Sequence, residues 1–433
     1  MPQPLPNIWN IFNLHGSPYW QDPLGDGDVT HPMHLFVGRK QELAQLLQGL
    51  FGAGASSSRH AIGGRPGIGK TTLVKQFKAR ALASGYLTTD SVVPIFADDT
   101  NEGLFGRVLG AVYDILLANR PQTFQNPAMQ AAQVLVRASR ERVRGGGVSA
   151  LGIGASVSQS IVANVPRDML LDGPRVLREL MTLVQGSDAQ GVLVHINNLE
   201  NLSDTAIQQA GVILRDLRDP MLMHNGLHVI VVGTMEAVQI AVMSTPQVRT
   251  VFSVLPVEPL PLSDVHQLLE ERYSFMRLDV HRPAIPPVER EVHARLYELF
   301  RGDVRGILQA LDDGVTPNIG LTPVAGTQGG LVASASRPFT FDELRPALQR
   351  RYVDQMGAER ETAHVNRLAA WGADNPAQSH SQKSLGQLWK VRQSTVSETL
   401  AFLVRQGYTM LLPRQGYGAT EYALTGRSRL MFG

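Results

Sequence analysis

The chain contains no cysteine, which excludes disulfide staples, thiolate metal sites and cysteine nucleophiles and leaves oxygen and imidazole as its metal ligands. Nor does it carry a large charge of one sign. Its 40 Lys and Arg against 38 Asp and Glu give a net +2, so a polyanionic partner would have to be met locally. No apolar run is long enough to cross a bilayer: the richest, Leu227 to Met243, is broken by His228, Glu236 and Gln239. The opening MPQPLPNIWNIFNLHGSPYWQDP has no basic flank followed by an apolar stretch, so it does not read as a signal peptide. Together these absences predict a cytoplasmic protein with no membrane partner.

What is present falls into blocks. A length of 433 residues suggests two or three domains. Residues 1–35, rich in Pro, Gly and aromatics, read as an irregular N-terminal extension. From 36 to 258, short β-branched runs alternate with amphipathic stretches, which predicts an α/β domain with a parallel sheet. The candidate strands are His60–Ile62, Val92–Ala97, Val192–Ile196, Leu227–Val232 and Ser253–Leu255, the second weakened by Pro94. An insertion at about 120–175 carries Arg137, Arg140, Arg142 and Arg144 and then GGGVSALGIGASVSQS, read as a β-hairpin. It is either a DNA- or partner-contacting loop or a surface excursion. Residues 259–313 read as a small helical lobe, opened by Ser263 as a cap. Residues 314–338 are a Gly/Pro/Ser/Thr-rich linker, and 339–433 a second domain.

The sharpest motif is GRPGIGKT, Gly64 to Thr71, set between a strand and an amphipathic helix. It fits the phosphate-binding pattern G-x-x-x-x-G-K-[ST]. Glycines let backbone N–H groups curl around phosphate oxygens at the positive end of a helix, Lys70 adds charge, and the Thr71 hydroxyl can ligate Mg²⁺. Gly64, Pro66, Gly67, Ile68, Gly69, Lys70, Thr71 and Thr72 are the candidate contacts, and ATP with Mg²⁺ the expected cofactor. The partner strand reads VLVHINNLEN, which puts Asn197 where a metal-holding Asp belongs and Asn198 where a water-activating Glu belongs. An amide can accept from a metal-bound water but cannot take a proton from one at neutral pH. Glu200 could supply a displaced carboxylate. The expectation is ATP binding with slow or impaired hydrolysis.

With the FVGRKQEL lead-in at Phe36–Leu43, the P-loop, the strand order and the helical lobe, the chain resembles an AAA+ ATPase. More narrowly it resembles the branch of replication-origin initiators (origin recognition complex and archaeal initiator-like), over roughly residues 36–433. The resemblance implies base contacts at Val37 and Gly38, a sensor 1 polar group at Thr234, an arginine finger at Arg249 acting across an oligomer, and a sensor 2 at Arg305 within GDVRG. From the residues alone, Arg249 could equally be an ordinary surface arginine. Asn197 and Asn198 depart from the family pattern. The fold expectation is an AAA+ parallel-sheet nucleotide-binding domain, an α-helical lid and a C-terminal winged-helix domain.

The winged-helix expectation comes from the succession HVNRLAAWGA, SLGQLWKV, QSTVSETLAFLVRQGY and a hairpin through YTMLLPRQGYGATEYAL. Leu385, Leu388, Val396, Leu400 and Leu403 have helical spacing and read as core. Lys390, Arg392, Gln393, Ser394, Thr395 and Ser397, with Arg414 at the wing tip, are the candidate DNA contacts. From Ser381 onward seven cations face two acids, a balance of +5. Double-stranded DNA and a homo-oligomer are therefore the expected partners. The alternative is a signalling or defence ATPase that oligomerises and recruits a protein effector through the same domain.

Overall fold

The computed structural model describes residues 7–25, 27–54, 56–145, 169–186, 188–323, 331–334, 337–412 and 419–432. Its centre is a parallel sheet of β1 (Arg59–Gly63), β2 (Tyr86–Leu87), β3 (Val93–Pro94), β4 (Gly191–Asn197), β5 (Leu227–Gly233) and β6 (Ser253–Pro256). The order is β2-β4-β5-β1-β6, with β3 also against β4. Every residue of β5 is buried, which is why its sequence is a continuous apolar run rather than an alternating one. Helices α1 (Lys40–Ala53) and α2 (Lys70–Ala83) cover one face through Leu46, Leu50, Leu73 and Phe77. On the other face pack α3 (Asn101–Asn119), α4 (Pro127–Gly145), α5 (Met169–Gln185) and α6 (Asp204–Asp216). This strand order brings the C-terminal ends of β1, β4 and β5 side by side, where ligands of open α/β sheets bind.

Two expectations for this region change. The strand expected over Val92–Ala97 shortens to Val93–Pro94, because Pro94 offers no N–H and the next backbone bond, from Ile95 N to Asn197 O at 3.1 Å, already ends the ladder. Within the insertion, 127–145 and the stretch from 169 are helices α4 and α5, the first burying Met129, Ala132 and Val136. The hairpin expected from the glycine-rich run lies outside the described residues, as do the side chains of Arg142 and Arg144.

The short helices α7 (Met235–Val238) and α8 (Pro246–Arg249) follow β5, and then come α9 (Leu262–Phe275), α10 (Arg290–Phe300) and α11 (Val304–Asn318). Pro261, not Ser263, holds the cap position of α9. The N-terminal extension, expected to be irregular, carries a 3-10 helix over Ile8–Phe12 and is anchored: Trp9, Phe12, Leu14 and Tyr19 share one core with Leu269, Tyr273, Leu296 and Ile307. Arg272 ties them down, donating to the Pro18 carbonyl at 3.2 Å and the Trp20 carbonyl at 2.7 Å with its guanidinium 4.1 Å from the Trp20 ring centre. Burial pulls the Arg272 pKa down to about 9.

The expected linker is structured where it is described. α11 runs to Asn318, and β7 (Gly320–Pro323) pairs antiparallel with β8 (Leu331–Ser334). Helix α12 (Phe341–Met356) follows, and Leu344, Leu348 and Tyr352 bury it in the core of α9–α11, so the expected boundary at 339 falls inside one packed unit. A separate core of Trp371, Leu385, Val396, Leu400 and Leu403 holds α13 (Ala363–Asp374), α14 (Gln382–Trp389) and α15 (Gln393–Arg405). Against them lies the antiparallel sheet β10-β11-β9, made of β9 (His380–Ser381), β10 (Thr409–Leu411) and β11 (Glu421–Leu424). Helix α16 (Gly426–Phe432) returns the chain to α10: Arg429 donates to the Glu298 and Leu299 carbonyls, and to those of Pro376 and Ala377, at 3.0–3.3 Å. Among the described residues no helix is long and apolar enough to cross a membrane.

Candidate nucleotide site

The loop between β1 and α2 is built as a backbone cradle. Gly67 and Gly69 adopt φ of +79° and +94°, values that a side chain makes costly. None of the N–H groups from Gly67 to Thr72 donates to a backbone carbonyl among the described residues, so a row of donors converges at the start of α2. Lys70 is 6% exposed and donates to the Gly64 and Arg65 carbonyls at 2.8 and 2.9 Å, with Glu200 Oε2 3.2 Å away. Burial pushes its ammonium below the ordinary value, Glu200 opposes the shift and Arg305 adds to it. A polyphosphate would replace these partners with stronger ones. The cradle therefore fits ATP: free N–H donors, a buried cation and an exposed Thr71 at the first helical turn. Among the described residues no group of three or more His, Asp or Glu could hold a metal. Mg²⁺ would thus rely on the Thr71 hydroxyl, the phosphates and waters, an ordinary arrangement for that ion.

The two asparagines part company. Asn197 closes β4 at half-buried depth. Asn198 turns left-handed at φ +86°, a conformation Asn tolerates better than most residues. Its side chain is occupied away from the cradle: Nδ2 donates to the Ile95 carbonyl at 3.1 Å, and Oδ1 accepts from Asn201. The turn carries Glu200 forward on a 3-10 turn, Leu199–Asn201, and onto Lys70. Thr234 Oγ1 accepts from the Ala237 N–H at 3.1 Å, capping α7 and leaving its own O–H to donate. Asn198→Glu is expected to bring no gain in phosphate release. The carboxylate would face the Ile95 carbonyl, and the left-handed turn costs a longer side chain about 1 kcal/mol. A turnover rate raised tenfold or more in a malachite-green assay would contradict this placement.

The lid reaches the cradle through the first turn of α11. Asp303 caps that helix, accepting from Gly306 N at 3.0 Å, and its carboxylate lies against Gly67 Cα; Arg305 N donates to the Gly67 carbonyl at 3.3 Å. Burial raises the Asp303 carboxyl, while the Gly306 N–H and Arg305 draw it down. On the other side of the cradle Val37 is buried, and Gly38 at φ +71° lies so close to α9 that a Cβ would meet Asp264 Oδ2 at 2.6 Å. Arg39, which the motifs did not single out, donates to Glu42 at 2.8 Å and to the Ile68 carbonyl at 2.9 Å, fastening the lead-in to the P-loop. Its place immediately after Val37-Gly38 was the available signal.

A cavity of about 550 Å³ opens beside the cradle, with Arg65, Glu200 and Thr234 on the sheet side and Arg301 and Asp303 on the lid side. Its remaining wall is C-terminal: Val404, Gly407, Thr409–Leu411 and Thr425–Gly426. Burial, with Arg429 and Arg65 nearby, pulls the Arg301 pKa down to about 10. Arg305, on the first turn of α11, and Arg249, on α8, are both exposed, and neither lines this cavity. In the C-terminal unit Lys390, Arg392, Gln393, Ser394 and Ser397 are exposed and Thr395 is half-buried. They occupy the α14–α15 turn and the first turns of α15. Gln393 is steadied by Gln382, Nε2 to Oε1 at 2.6 Å. Arg414 lies outside the described residues.

A P-loop at the end of a central parallel strand, a polar residue ending the next strand and a helical lid on the loop define a P-loop nucleotide-binding protein. Residues 35–232 match the family model described as "AAA ATPase domain", and this stretch of the chain is an AAA ATPase domain. No curated protein matches the chain. Among solved structures it is similar to the Aeropyrum pernix ORC2 protein in ADPNP–ADP complexes (15% identity, TM-score 0.42, covering 91% of this chain and 92% of that one). It is also similar to Cdc6p of Pyrobaculum aerophilum (14%, 0.41, 95% and 97%) and to the Aeropyrum pernix ORC1 protein in complex with DNA (14%, 0.41, 93% and 95%).

Proposed function

We propose that the chain is an origin-initiator-like, ATP-binding AAA+ protein acting as a nucleotide-controlled DNA-binding switch, in which α13–α15 and the β9–β11 sheet work as a winged helix. The observation that carries this reading is the shared cavity: Val404, Gly407, Thr409–Leu411 and Thr425–Gly426 form a wall of the same space that Glu200, Thr234 and Arg301 line. Occupation of the phosphate cradle then bears directly on where the C-terminal unit can sit. Duplex DNA would be met by Lys390, Arg392, Gln393, Ser394, Thr395, Ser397 and Arg414, cations setting the backbone register and short polar groups reading base edges. Arg249, exposed and outside its own cavity, is free to serve the site of a neighbouring copy.

Hydrolysis in this reading is slow, and the carboxylate available for it is Glu200. Glu200→Gln is expected to lower Mg²⁺-dependent phosphate release by about a hundredfold, the usual size of a lost proton acceptor, while leaving the binding of a fluorescent ATP analogue within a few-fold. Unchanged turnover would remove Glu200 from the chemistry.

The switch is tested by fluorescence anisotropy of labelled duplex DNA with full-length protein at two salt concentrations, without nucleotide, with ADP and with ATP. Tighter binding with ATP that weakens as salt rises, and falls in Arg392→Ala, is the expected result. Absence of DNA binding in every nucleotide state would overturn it and favour an effector protein as the partner.

A further inference from the structure

Arg301 stands at the junction of the nucleotide cavity and the C-terminal unit. It closes α10 in a left-handed conformation, φ +52°, and Gly302 follows at +73°. A residue with a β-carbon takes up this conformation at a cost and keeps it where its surroundings enforce it. On one side Arg301 lines the cavity of about 550 Å³ together with Arg65 of the P-loop, Glu200 and Thr234. On the other its Nη2 donates to the Ala377 carbonyl at 2.9 Å, and the same oxygen accepts from Arg429 Nη2 at 3.1 Å. Two guanidinium groups thus converge on one neutral carbonyl. No carboxylate offsets the charge of Arg301 among the described residues: what acts on it is burial, and then the like charges of Arg429 and Arg65.

Like charges gathered at the edge of a phosphate site make an anion the missing component. A charge-assisted bond from guanidinium to phosphate is about twice as strong as a bond between neutral groups, and the planar fork of arginine matches phosphate oxygens. We infer that Arg301 is the coupling residue of the switch: it exchanges the Ala377 carbonyl for an outer phosphate of bound ATP, and the exchange loosens the C-terminal unit from the lid. This inference rests on the nucleotide-controlled switch proposed above and assigns its regulation to one side chain. Arg429 keeps its bonds to the Glu298 and Leu299 carbonyls across the same junction, so the unit shifts without detaching. ADP, which lacks the outer phosphate, leaves Arg301 on Ala377. By linkage, whatever holds the C-terminal unit in its shifted position also tightens the binding of ATP.

Because the chain has no cysteine, Glu291→Cys on α10 and Gln387→Cys on α14, both at exposed positions, can carry a fluorescent donor and acceptor in the full-length protein. Energy transfer is read without nucleotide, with ADP and with a non-hydrolysable ATP analogue, in the absence of DNA. The analogue should change the transfer efficiency, and ADP should leave it as in the free protein. Arg301→Gln keeps a donor for the Ala377 carbonyl but no charge for a phosphate. It should abolish the response, bind the analogue about tenfold more weakly and bind ADP within about twofold of the native chain; the ADP measurement also reports that the variant is folded. The same efficiency in all three states, or a full response in Arg301→Gln, would overturn the coupling. Equal losses of affinity for ADP and the analogue would overturn it too, by reducing Arg301 to a structural support. No DNA takes part, so a failed coupling leaves the DNA-binding reading to its own anisotropy test, and a failed DNA test leaves a measured response standing.

Discussion

Acidification from about pH 7.5 to about pH 4.5 is expected to unfold this protein, and the cause lies in the sheet rather than on the surface. His60 on β1, His195 on β4 and His228 on β5 lie on the face covered by α1 and α2, with His195 and His60 both opposite Ile230. All three are buried, and burial pulls their pKa values down to about 4, about 3 and about 4, with Arg59 and Lys78 as the neighbouring cations. The geometry fixes His228 as neutral: its Nδ1 accepts the Ser58 N–H at 3.1 Å, so no proton can reside there. Gly49 on α1 makes room for the His60 ring, whose Cε1 would collide with any Cβ at that position.

In the unfolded chain each of these rings titrates near its ordinary 6.5. Below that value the unfolded state binds protons that the native state refuses, so stability is fully present above pH 6.5 and lost as the pH falls toward the native pKa values. Each ring that refuses a proton contributes a slope of about 1.4 kcal/mol per pH unit, or about 3 kcal/mol by pH 4. Three such rings amount to most of a domain's stability of about 5–15 kcal/mol. Guanidinium melts across this range should show the midpoint falling steeply below pH 6.5, and His195→Leu should flatten the curve by about one ring's share. A midpoint constant from pH 7.5 to about pH 5 would sink the account.

Much of the nucleotide-binding half of the fold was legible because phosphate binding constrains the backbone. The run from Gly64 to Thr71 has few other uses, and the apolar runs of β1, β4 and β5 follow from burial on both faces. Less legible were elements that owe their form to neighbours. β2 and β3 are two residues each and exist because β4 offers them a ladder. The stripe Leu344, Leu348, Tyr352 announces a buried helix face but not whether lid or C-terminal unit will cover it. Residues 7–20 have no periodicity, yet Trp9, Phe12 and Tyr19 find a core made by helices more than two hundred residues away. At the site, Glu200 could be seen as a spare carboxylate, whereas its contact with Lys70 depends on the left-handed turn at Asn198. The C-terminal wall of the cavity depends on the Arg429 clamp, which no local pattern encodes.

Gly67→Ala should sharply weaken nucleotide binding, by two routes that a paired variant separates. At φ +79° an alanine costs about 1–2 kcal/mol in the loop itself. The larger effect is collision: the new methyl would fall within the Asp303 carboxylate, 2.6 Å from its Cγ. Asp303 cannot swing aside freely, because it caps α11 through the Gly306 N–H, and the same helix turn holds the Gly67 carbonyl through Arg305 N. Relief therefore means lifting the lid from the P-loop, which breaks the bond from Arg305 N to the Gly67 carbonyl and opens the cradle to water. Affinity for a fluorescent ATP analogue should fall by about a hundredfold or more, equivalent to about 3 kcal/mol. Gly67→Ala combined with Asp303→Gly removes the collision but keeps the backbone cost, so the pair should bind at least about tenfold better than Gly67→Ala alone, a coupling that contacting residues show and distant ones do not. If the single variant binds like the native chain, the lid does not rest on Gly67; if the double variant binds no better than the single, the loss came from the loop backbone and Asp303 plays no part in closing the lid.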